Sequence, residues 1–525
     1  MSFLPRPHDI QEYCPVSATN YSVNSALSEY LASTTPEKLD PAFVGYLANL
    51  TAVAAVTPEA ARAVVQELAD QRANLKLIAS ENYCSLATQL AMGNLLTDKY
   101  AEGYAGHRFY AGCENVDIVE SYAIDELKKL FGCEHAYVQA HSGADANLIA
   151  FWAILQTRVG DKLLEAFDEK DVTKLSKNDW NSVRDKLNNQ RLLGMDLYAG
   201  GHLTHGYRHN LSARMFDVSA YGVSRETGLL DYDALEKQVE EVKPLIFLAG
   251  YSAYPRAIDF KRLRAMADKV GAVFMVDMAH FAGLVAGGVF TGDYNPVAHA
   301  HVVTSTTHKT LRGPRGGIVL CVEEFADAVN RGCPLVMGGP LPHVMAAKAV
   351  AFTEANKPEF KTYAKRIVEN AQALAQACMD EGLIVASGGT DNHLLLVNVA
   401  KFGITGRQGE SAVRECGITL NRNTLPYDPN GPWYTSGMRL GTPAVTTLGM
   451  GADEMREIAS ILKLILSNTT PTKVASGANA GEPSKAKYVI DENAKSEANK
   501  RVAALLERFP VYPELDLAFL QRHFT

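Results

Sequence analysis

Lys309 is the residue of this chain whose surroundings most suggest chemistry. It follows the apolar run His301-Val-Val-Thr304, inside Ser305-Thr-Thr-His-Lys309-Thr-Leu-Arg-Gly-Pro-Arg315-Gly-Gly. A lysine in a partly buried pocket has a depressed pKa and can act as a neutral amine. Such an amine forms an imine with an aldehyde cofactor. One strand–helix–strand step earlier, Ala272-Val-Phe-Met-Val276 ends in Asp277-Met-Ala-His280. A carboxylate there suits the nitrogen of a pyridine ring. Kept protonated, that ring withdraws electrons from a bond being broken at a substrate's alpha carbon. Taken singly, Lys309 reads as a solvent-facing lysine and Asp277 as a capping residue. Taken together, with Thr306, Thr307 and His308 beside the lysine, they read as a pyridoxal-phosphate site.

Two more candidate strands deliver polar groups at the same kind of position. Leu245-Ile-Phe-Leu248 is followed by Gly250-Tyr-Ser252, and Ala136-Tyr-Val-Gln139 by His141-Ser-Gly-Ala-Asp145-Ala-Asn147. Ser142-Gly143-Ala144 leads into a predicted helix from Ala146 to Leu155. A helix N-terminus offers free N–H groups and partial positive charge to a phosphate. The plainer alternative is that Ser142 or Asp145 only caps the helix. Gly200-Gly-His202-Leu-Thr-His205-Gly places two histidines three apart, and His280, His299 and His301 add others. A metal site is conceivable on such ligands. There is no His-Glu-x-x-His, however, and the glycines suit close approach to a flat ligand better, so no metal is expected. No Walker A or Gly-x-Gly-x-x-Gly fingerprint stands in a strand–loop–helix setting. The stretch from Lys99 to Tyr110 is rich in aromatics and glycine, with the acid Glu102, and by itself reads as a packed loop. Arg439, in Thr435-Ser-Gly-Met-Arg-Leu-Gly-Thr442-Pro, could grip a carboxylate through two parallel hydrogen bonds. Its plain alternative is a surface salt bridge.

Positioning these groups requires a sheet. From about Asn74 to Arg331, short apolar runs alternate with helical periods such as Lys261 to Lys269. The runs named above, with Gly317-Ile-Val-Leu320, read as buried strands. The alternation predicts an α/β fold with a largely parallel sheet covered by helices. Ligands gather at the carboxyl ends of such strands. Residues 1–70 read as a peripheral helical arm, with Thr57 and Pro58 at the N-cap and first position of a helix to about Gln71. Residues 71–335 form the large domain, interrupted over 158–190 by a charge-rich, helical surface insertion. A Gly/Pro-rich break, Pro334 to Pro342, leads into a smaller domain over 336–467. Residues 468–525 read as a linker to about Lys487, a charged helix from Glu492 to Arg508 and a tail.

The bulk properties set the class. The chain has 525 residues, 47% hydrophobic and 21% charged, with a formal net charge of −8. That is globular composition and too long for one core. A general nucleic-acid footprint would need a basic surface. Eight scattered cysteines form no Cys-x-x-Cys pair, which disfavours zinc ribbons and suggests a reducing compartment. Met1 to Thr19 has no apolar core of a secretory signal, and no apolar run approaches membrane-spanning length. The expectation is a cytoplasmic protein without nucleic-acid or membrane partners.

At this point the chain closely resembles the serine hydroxymethyltransferases. The matching stretches include Leu77-Ile-Ala-Ser-Glu-Asn-Tyr83, Asp98-Lys-Tyr-Ala-Glu-Gly-Tyr104, Gly200 to Gly206, Val276 to His280, Thr306 to Leu311, Gly313 to Gly317, Ser387 to His393 and Thr435 to Pro443. The likeness spans about residues 55 to 470 apart from the insertion. It implies a fold type I (aspartate-aminotransferase-like) pyridoxal-phosphate enzyme, with a large domain, a smaller α/β C-terminal domain and a homodimer that shares its active sites. It implies reversible transfer of the hydroxymethyl carbon of serine to tetrahydrofolate, giving glycine and 5,10-methylenetetrahydrofolate. By the same resemblance Lys309 carries the cofactor, Asp277 pairs with the ring nitrogen and His202 stacks on the ring. Ser252 and His280 contact the phenolic oxygen or the substrate. Ser142 and Gly143, with the backbone of Ala144, bind the cofactor's phosphate, joined by Tyr100, Gly338 and Gly339 from a second subunit, and Arg315 also binds the cofactor. Arg439 and Ser80 bind the amino-acid carboxylate. Glu102, Tyr110 and Thr306 assist proton movements, and Leu197, Gly201, Leu203 and Asn423 line the folate site.

The chain departs from the family pattern at Ala144, where serine is frequent, and at Phe109, where tyrosine is usual. Tyr198-Ala199 and Leu335-Val336-Met337 also differ. These changes bear on folate and cofactor affinity and leave Lys309, Asp277 and Arg439 untouched. Two other readings compete. One is folate-independent threonine-aldolase or racemase chemistry on the same site. The other is a catalytically silent scaffold, which the retained Lys309 and Asp277 oppose.

Overall fold

A computed structural model of the chain describes residues 25–477 and 480–525. Met1 to Thr19, with Cys14, lies outside the described residues. The chain divides into two units, Leu75–Phe509 and a smaller one made of Met1–Asn74 with Pro510–Thr525.

In the smaller unit, helices α1 (Ala26–Ser33), α2 (Pro41–Val56) and α3 (Pro58–Ala73) join a terminal helix, Leu517–Phe524. Asp40 caps α2 by accepting from the N–H groups of Ala42 and Phe43. Thr57 and Pro58 hold the expected places at the start of α3, but the Thr57 side chain makes no capping bond. Arg72 donates to the carbonyls of Val511 and Leu515, at 2.9 and 2.8 Å, tying the chain's last segment to α3. Tyr30, Phe43 and Phe519 pack edge to face.

The larger unit is built on a seven-stranded sheet. Its strands are β1 (His135–Tyr137), β2 (Arg191–Met195), β3 (Asp217–Tyr221), β4 (Ile246–Gly250), β5 (Val273–Asp277), β6 (Val302–Thr306) and β7 (Gly317–Cys321). They lie in the order β1-β7-β6-β5-β4-β2-β3. Five neighbours from β6 to β3 are parallel; β7 alone runs against its neighbours β6 and β1. All five runs predicted as strands are present. β4 through β7 are buried on both faces, as continuous apolar runs require. β2 and β3 are additions to the predicted set. Asp217-Val-Ser-Ala-Tyr221 is an edge strand of mixed polarity that carries little apolar signal.

Helix α4 (Glu114–Phe131) covers one side, and α5 (Gly143–Leu155) buries Ile149, Ala150 and Phe151 against the other. Residues 158–190 are helical and charged, as predicted, and include α6 (Lys177–Asn188). α7 (Pro342–Ala355) and the first half of α8 (Pro358–Asp380) pack on the large sheet's core through Met345, Phe352, Phe360 and Ile367. The second half of α8 enters a separate core with Leu374 and Cys378. That second core sits against a four-stranded antiparallel sheet containing β8 (Ile384–Val385), β9 (Leu394–Asn398), β10 (Asn421–Asn423) and β11 (Gly437–Gly441).

The predicted linker from Asn468 to about Lys487 is not one. Thr469–Lys473 and Pro483–Ile490 pair as an antiparallel hairpin. The β-branched threonines and the alternation in Lys-Ala-Lys-Tyr-Val-Ile outweigh the Gly- and Ser-rich turn between them. Gln408 secures the hairpin by donating to the carbonyls of Ser484 and Lys487, at 2.7 and 2.9 Å. The charged helix follows at Glu492–Arg508 as expected. No described helix is long and apolar enough to cross a membrane.

Candidate active site

The carboxyl ends of β4, β5 and β6 and the start of α5 surround a cavity of ≈ 500 Å³. Its walls include Lys309, Asp277, Arg439, Arg315, His202 and Ser252. Ser80, Ser142, Gly143, Ala144, Leu197, Leu203, His280 and Thr306 complete the predicted residues that meet there. Strand register explains the convergence. Gly250 pairs with Asp277, and Asp277 with Thr304, so β4 and β5 end at one level and β6 runs two residues beyond it.

Asp277 closes β5 and is 7% exposed. Its Oδ1 accepts from the N–H of Ala279 at 3.0 Å. Its Oδ2 accepts from Asn147 Nδ2 at 2.9 Å and lies 3.2 Å from His205 Nε2. Burial alone would raise this pKa, but the hydrogen bond and charge of His205, the field of His202 and the Asn147 amide outweigh it. The group is held well below the usual carboxylate range. Asn147 is itself fixed, accepting from Thr304 Oγ1 at 2.6 Å and donating to Thr204 Oγ1 at 2.8 Å. Thr204 in turn bonds His202 Nδ1 at 2.8 Å. His202, Asp277 and its supports therefore form one network. His205 and Asn147 lay inside quoted motifs, but their role as clamps depends on the α5–sheet contact and has no local signal.

Lys309 is driven the other way. Burial lowers its pKa to about 8, against the pull of Asp277 and with help from Arg439 and Arg315. The histidines around it follow. Burial, then the neighbouring cations, lowers His308 to about 3 and His393 to about 3. Burial, then His205, with Lys309 and Arg439 behind, lowers His202 to about 4 despite Asp277. The pocket thus presents neutral imidazoles beside three cationic side chains and two carboxylates, Asp277 and Glu81, the latter paired with Lys76 at 2.9 Å, and the balance favours an anionic ligand.

Arg439 lies on β11, partly exposed. Its Nε donates to Asn421 Oδ1 at 3.0 Å and its Nη1 to the carbonyl of Ser252 at 2.6 Å. Ser252 Oγ donates to the carbonyl of Gly201 at 2.7 Å. Ser142 caps α5: its Oγ accepts from the N–H of Asp145 at 3.2 Å and donates to Asp145 Oδ2 at 3.0 Å. The capping reading of this residue is observed, and the cap leaves the first-turn N–H groups of Gly143 and Ala144 to be satisfied from outside the helix. A Cβ on Gly143 would come 2.7 Å from Thr306 Cγ2, so only glycine lets the turn lie on β6.

These residues fit pyridoxal phosphate. The cavity has a buried amine of lowered pKa, an anchored carboxylate, a helix start with unfilled donors, and Arg315. His308 Nδ1 is buried in the wall without a protein partner. The same groups fit a metal poorly. His202, His205 and Asp277 are the one grouping of metal-ligand types among the described residues. Its carboxylate Oδ2 already accepts from an amide and faces an imidazole, and His202 Nδ1 is engaged by Thr204.

Several predicted residues stand elsewhere. Gly201 is packed beneath the wall: a Cβ there would meet the Met195 carbonyl oxygen at 2.1 Å. A Cβ on Gly200 would meet the N of Tyr254 at 2.7 Å. Gly200 and Gly201 therefore serve close packing of the backbone on itself. Asn423, on β10, does not line the Lys309 cavity. Its neighbour Thr424, with Tyr198 and Ala199 beside Leu197, lines a second cavity of ≈ 500 Å³. Tyr100, Glu102, Tyr110, Gly338 and Gly339 also lie outside the Lys309 cavity. Tyr110 OH donates to Glu102 Oε2 at 3.5 Å, the rings of Tyr100 and Tyr110 are 5.0 Å apart, and Gly339 lies against Tyr100. Around them Leu95, Phe109 and Leu335 are exposed.

Comparison with known proteins agrees with this geometry. A family model described as serine hydroxymethyltransferase matches residues 53–184 and 183–462. A serine hydroxymethyltransferase of Treponema pallidum (strain Nichols) is 59% identical over 502 residues, 96% of this chain and 87% of its own. One of Salinispora tropica is 57% identical over 473 residues, covering 90% of this chain and 98% of its own. One of Mycolicibacterium smegmatis is 55% identical over 478 residues, 91% of this chain and 96% of its own. The Treponema pallidum match is longer than the span from 55 to 470 over which the motifs alone carried a likeness.

Proposed function

Because the chain belongs to the serine hydroxymethyltransferase family, we propose that its Lys309 cavity holds pyridoxal phosphate and moves the hydroxymethyl carbon of serine to tetrahydrofolate, leaving glycine. The chain is a pyridoxal-phosphate-dependent hydroxymethyltransferase of fold type I. The relatives' names favour this activity over folate-independent aldolase or racemase chemistry. One observation carries the residue assignment: a buried amine and an anchored carboxylate share a single cavity with Arg439 and the start of α5.

Lys309 carries the cofactor through its Nζ. Asp277 keeps a proton on the ring nitrogen, and the His205–Asn147 clamp keeps Asp277 charged and aimed. Bound there, the cofactor supplies an electron sink for the substrate's alpha carbon. The N–H groups of Gly143 and Ala144, with Ser142 and Arg315, receive its phosphate. Of the other lining residues, His202 would stack on the cofactor's ring, and Ser252 and His280 would contact its phenolic oxygen or the substrate. Arg439, helped by Ser80, fixes the serine carboxylate and so orients the bond to be broken. Thr306 holds a proton near the reacting carbon. Leu197 and Leu203 form an apolar wall toward tetrahydrofolate, and Gly201 and Asn423 are assigned to the same folate site.

Glu102, Tyr110, Tyr100, Gly338 and Gly339 are assigned to the site of a second copy, in a homodimer. Their support is their separation from the Lys309 cavity of their own chain and the exposed apolar side chains around them. We assign residues 71–335 to the cofactor domain and 336–467 to the small domain, with α7 and the first half of α8 packed on the former's core. We place the protein in the cytoplasm. The scatter of the eight cysteines along the chain, with no Cys-x-x-Cys pair, supports that reading.

The deciding assay is glycine formation from serine by the purified chain, with and without tetrahydrofolate. Strong folate dependence is expected. Equal rates without folate would overturn the proposal.

A further inference from the structure

Lys348 is 1% exposed and has no part in the chemistry above. It lies on α7 in an alanine-rich stretch, where a lysine normally faces water. Instead its Nζ donates to three main-chain carbonyls: Val138 at 2.5 Å, Ala140 at 2.9 Å and Gly317 at 2.9 Å. Taking an ammonium out of water costs several kcal/mol unless its donors are satisfied. Those carbonyls satisfy all three, and burial still lowers the amine's pKa to about 7, with Glu120 opposing.

The three carbonyls mark a particular place. The ladder between β1 and β7 pairs Tyr137 with Val319 and Cys321 with His135. Beyond Tyr137 the pairing gives way to one bond, from the N–H of Gly317 to the carbonyl of Ala140, at 2.9 Å. Lys348 fills in where the strands part. The next residues along the chain are His141, Ser142 and Gly143, the turn into α5. That turn lies directly on β7, since a Cβ on Gly317 would meet the Ser142 carbonyl oxygen at 2.1 Å. Gly316 makes room for the amine: a Cβ there would stand 2.5 Å from Lys348 Cε and 3.0 Å from its Nζ.

We propose that Lys348 is a positioning residue for the phosphate cradle: by gathering the carbonyls of Val138, Ala140 and Gly317 it sets the turn from which Gly143 and Ala144 offer their N–H groups. The inference rests on the assignment of that turn to the cofactor's phosphate.

The test uses the full-length chain freed of cofactor and titrated, by visible absorbance, with pyridoxal phosphate and with pyridoxal, which has the same aldehyde ring and no phosphate. In Lys348→Met the Kd for pyridoxal phosphate should rise about tenfold or more, as is usual when an outer support of a bound group is lost. The Kd for pyridoxal should hold, so the preference for the phosphorylated form falls by the same factor. A purely structural lysine would weaken both ligands alike, and that result, or no change in either, would overturn the proposal. Should Lys348→Met fail to fold, Gly316→Ala decides. It keeps the lysine but crowds its amine off the carbonyls, and the same selective loss is expected; an unchanged preference overturns the proposal. A wild-type chain with no preference for pyridoxal phosphate would refute the phosphate cradle itself, and Lys348's role with it.

Discussion

His205 Nε2 stands 3.2 Å from Asp277 Oδ2, and His205 itself is buried and does not line the cavity. An acid meant to hold a ring nitrogen is thereby held in turn, so its charge does not depend on the ligand. Asp277→Asn keeps the shape and removes the charge. Serine cleavage should fall on the order of a hundred-fold or more, the scale of losing a preorganised electrostatic partner. Steady-state turnover of the variant checks this, and near-normal turnover would sever Asp277 from the mechanism.

Lys309→Gln should purify as folded protein without the visible absorbance of bound cofactor and without normal turnover. Retention of full turnover would remove Lys309 from its role.

The lowered pKa of Lys309 has a sign that can be measured. Its folded value is about 8, against an ordinary 10.5. Between the two the unfolded chain holds the extra proton, so the cofactor-free protein gains stability from this group as pH rises through that window. Below about pH 8 both states are protonated and the contribution is flat. Thermal midpoints of the cofactor-free chain and of Lys309→Met, compared across this range, should show a shallower rise in the variant. Parallel curves would contradict the lowered pKa.

Arg439→Lys keeps a positive charge but loses the planar fork and the bond to Asn421. The KM for serine should rise by about thirty-fold or more, the lower end of what truncating one side of a buried charge pair costs. Cofactor absorbance should be unaffected. An unchanged KM would place the substrate carboxylate elsewhere.

If Glu102 serves the cavity of a second copy, two inactive variants can repair each other. Lys309→Gln mixed with Glu102→Ala, after subunit exchange, should recover about a quarter of wild-type activity, since half the dimers are mixed and each has one intact site. No recovery under conditions where exchange is demonstrated would refute the shared site.

Much of this was readable from residue types alone. The five apolar runs became strands because they are buried on both faces and so carry an unbroken signal. Lys309 and Asp277 were legible because each lies just beyond or at the end of such a run, whereas Arg439, in the middle of β11, stood out by its residue type within its motif. What escaped has a common cause. Lys348 sits in a helix whose alanines hide which face is inward. His205 and Asn147 are ordinary residues until α5 meets the sheet. β3 is an edge strand with polar positions, and the hairpin at Thr469–Ile490 was masked by the composition of its turn. In each case the information lies in a tertiary contact.

Helix α8 runs 23 residues, with its first half sealed in the cofactor sheet's core and its second half in the core behind Arg439. A rigid rod shared in this way leaves neither lobe free to melt alone: loss of packing around Leu374 would unseat Phe360 and Ile367 at the other end. Heat or denaturant should therefore erase the Lys309 cavity and the seat of Arg439 in one cooperative step, and half-folded chains that keep one without the other should not accumulate.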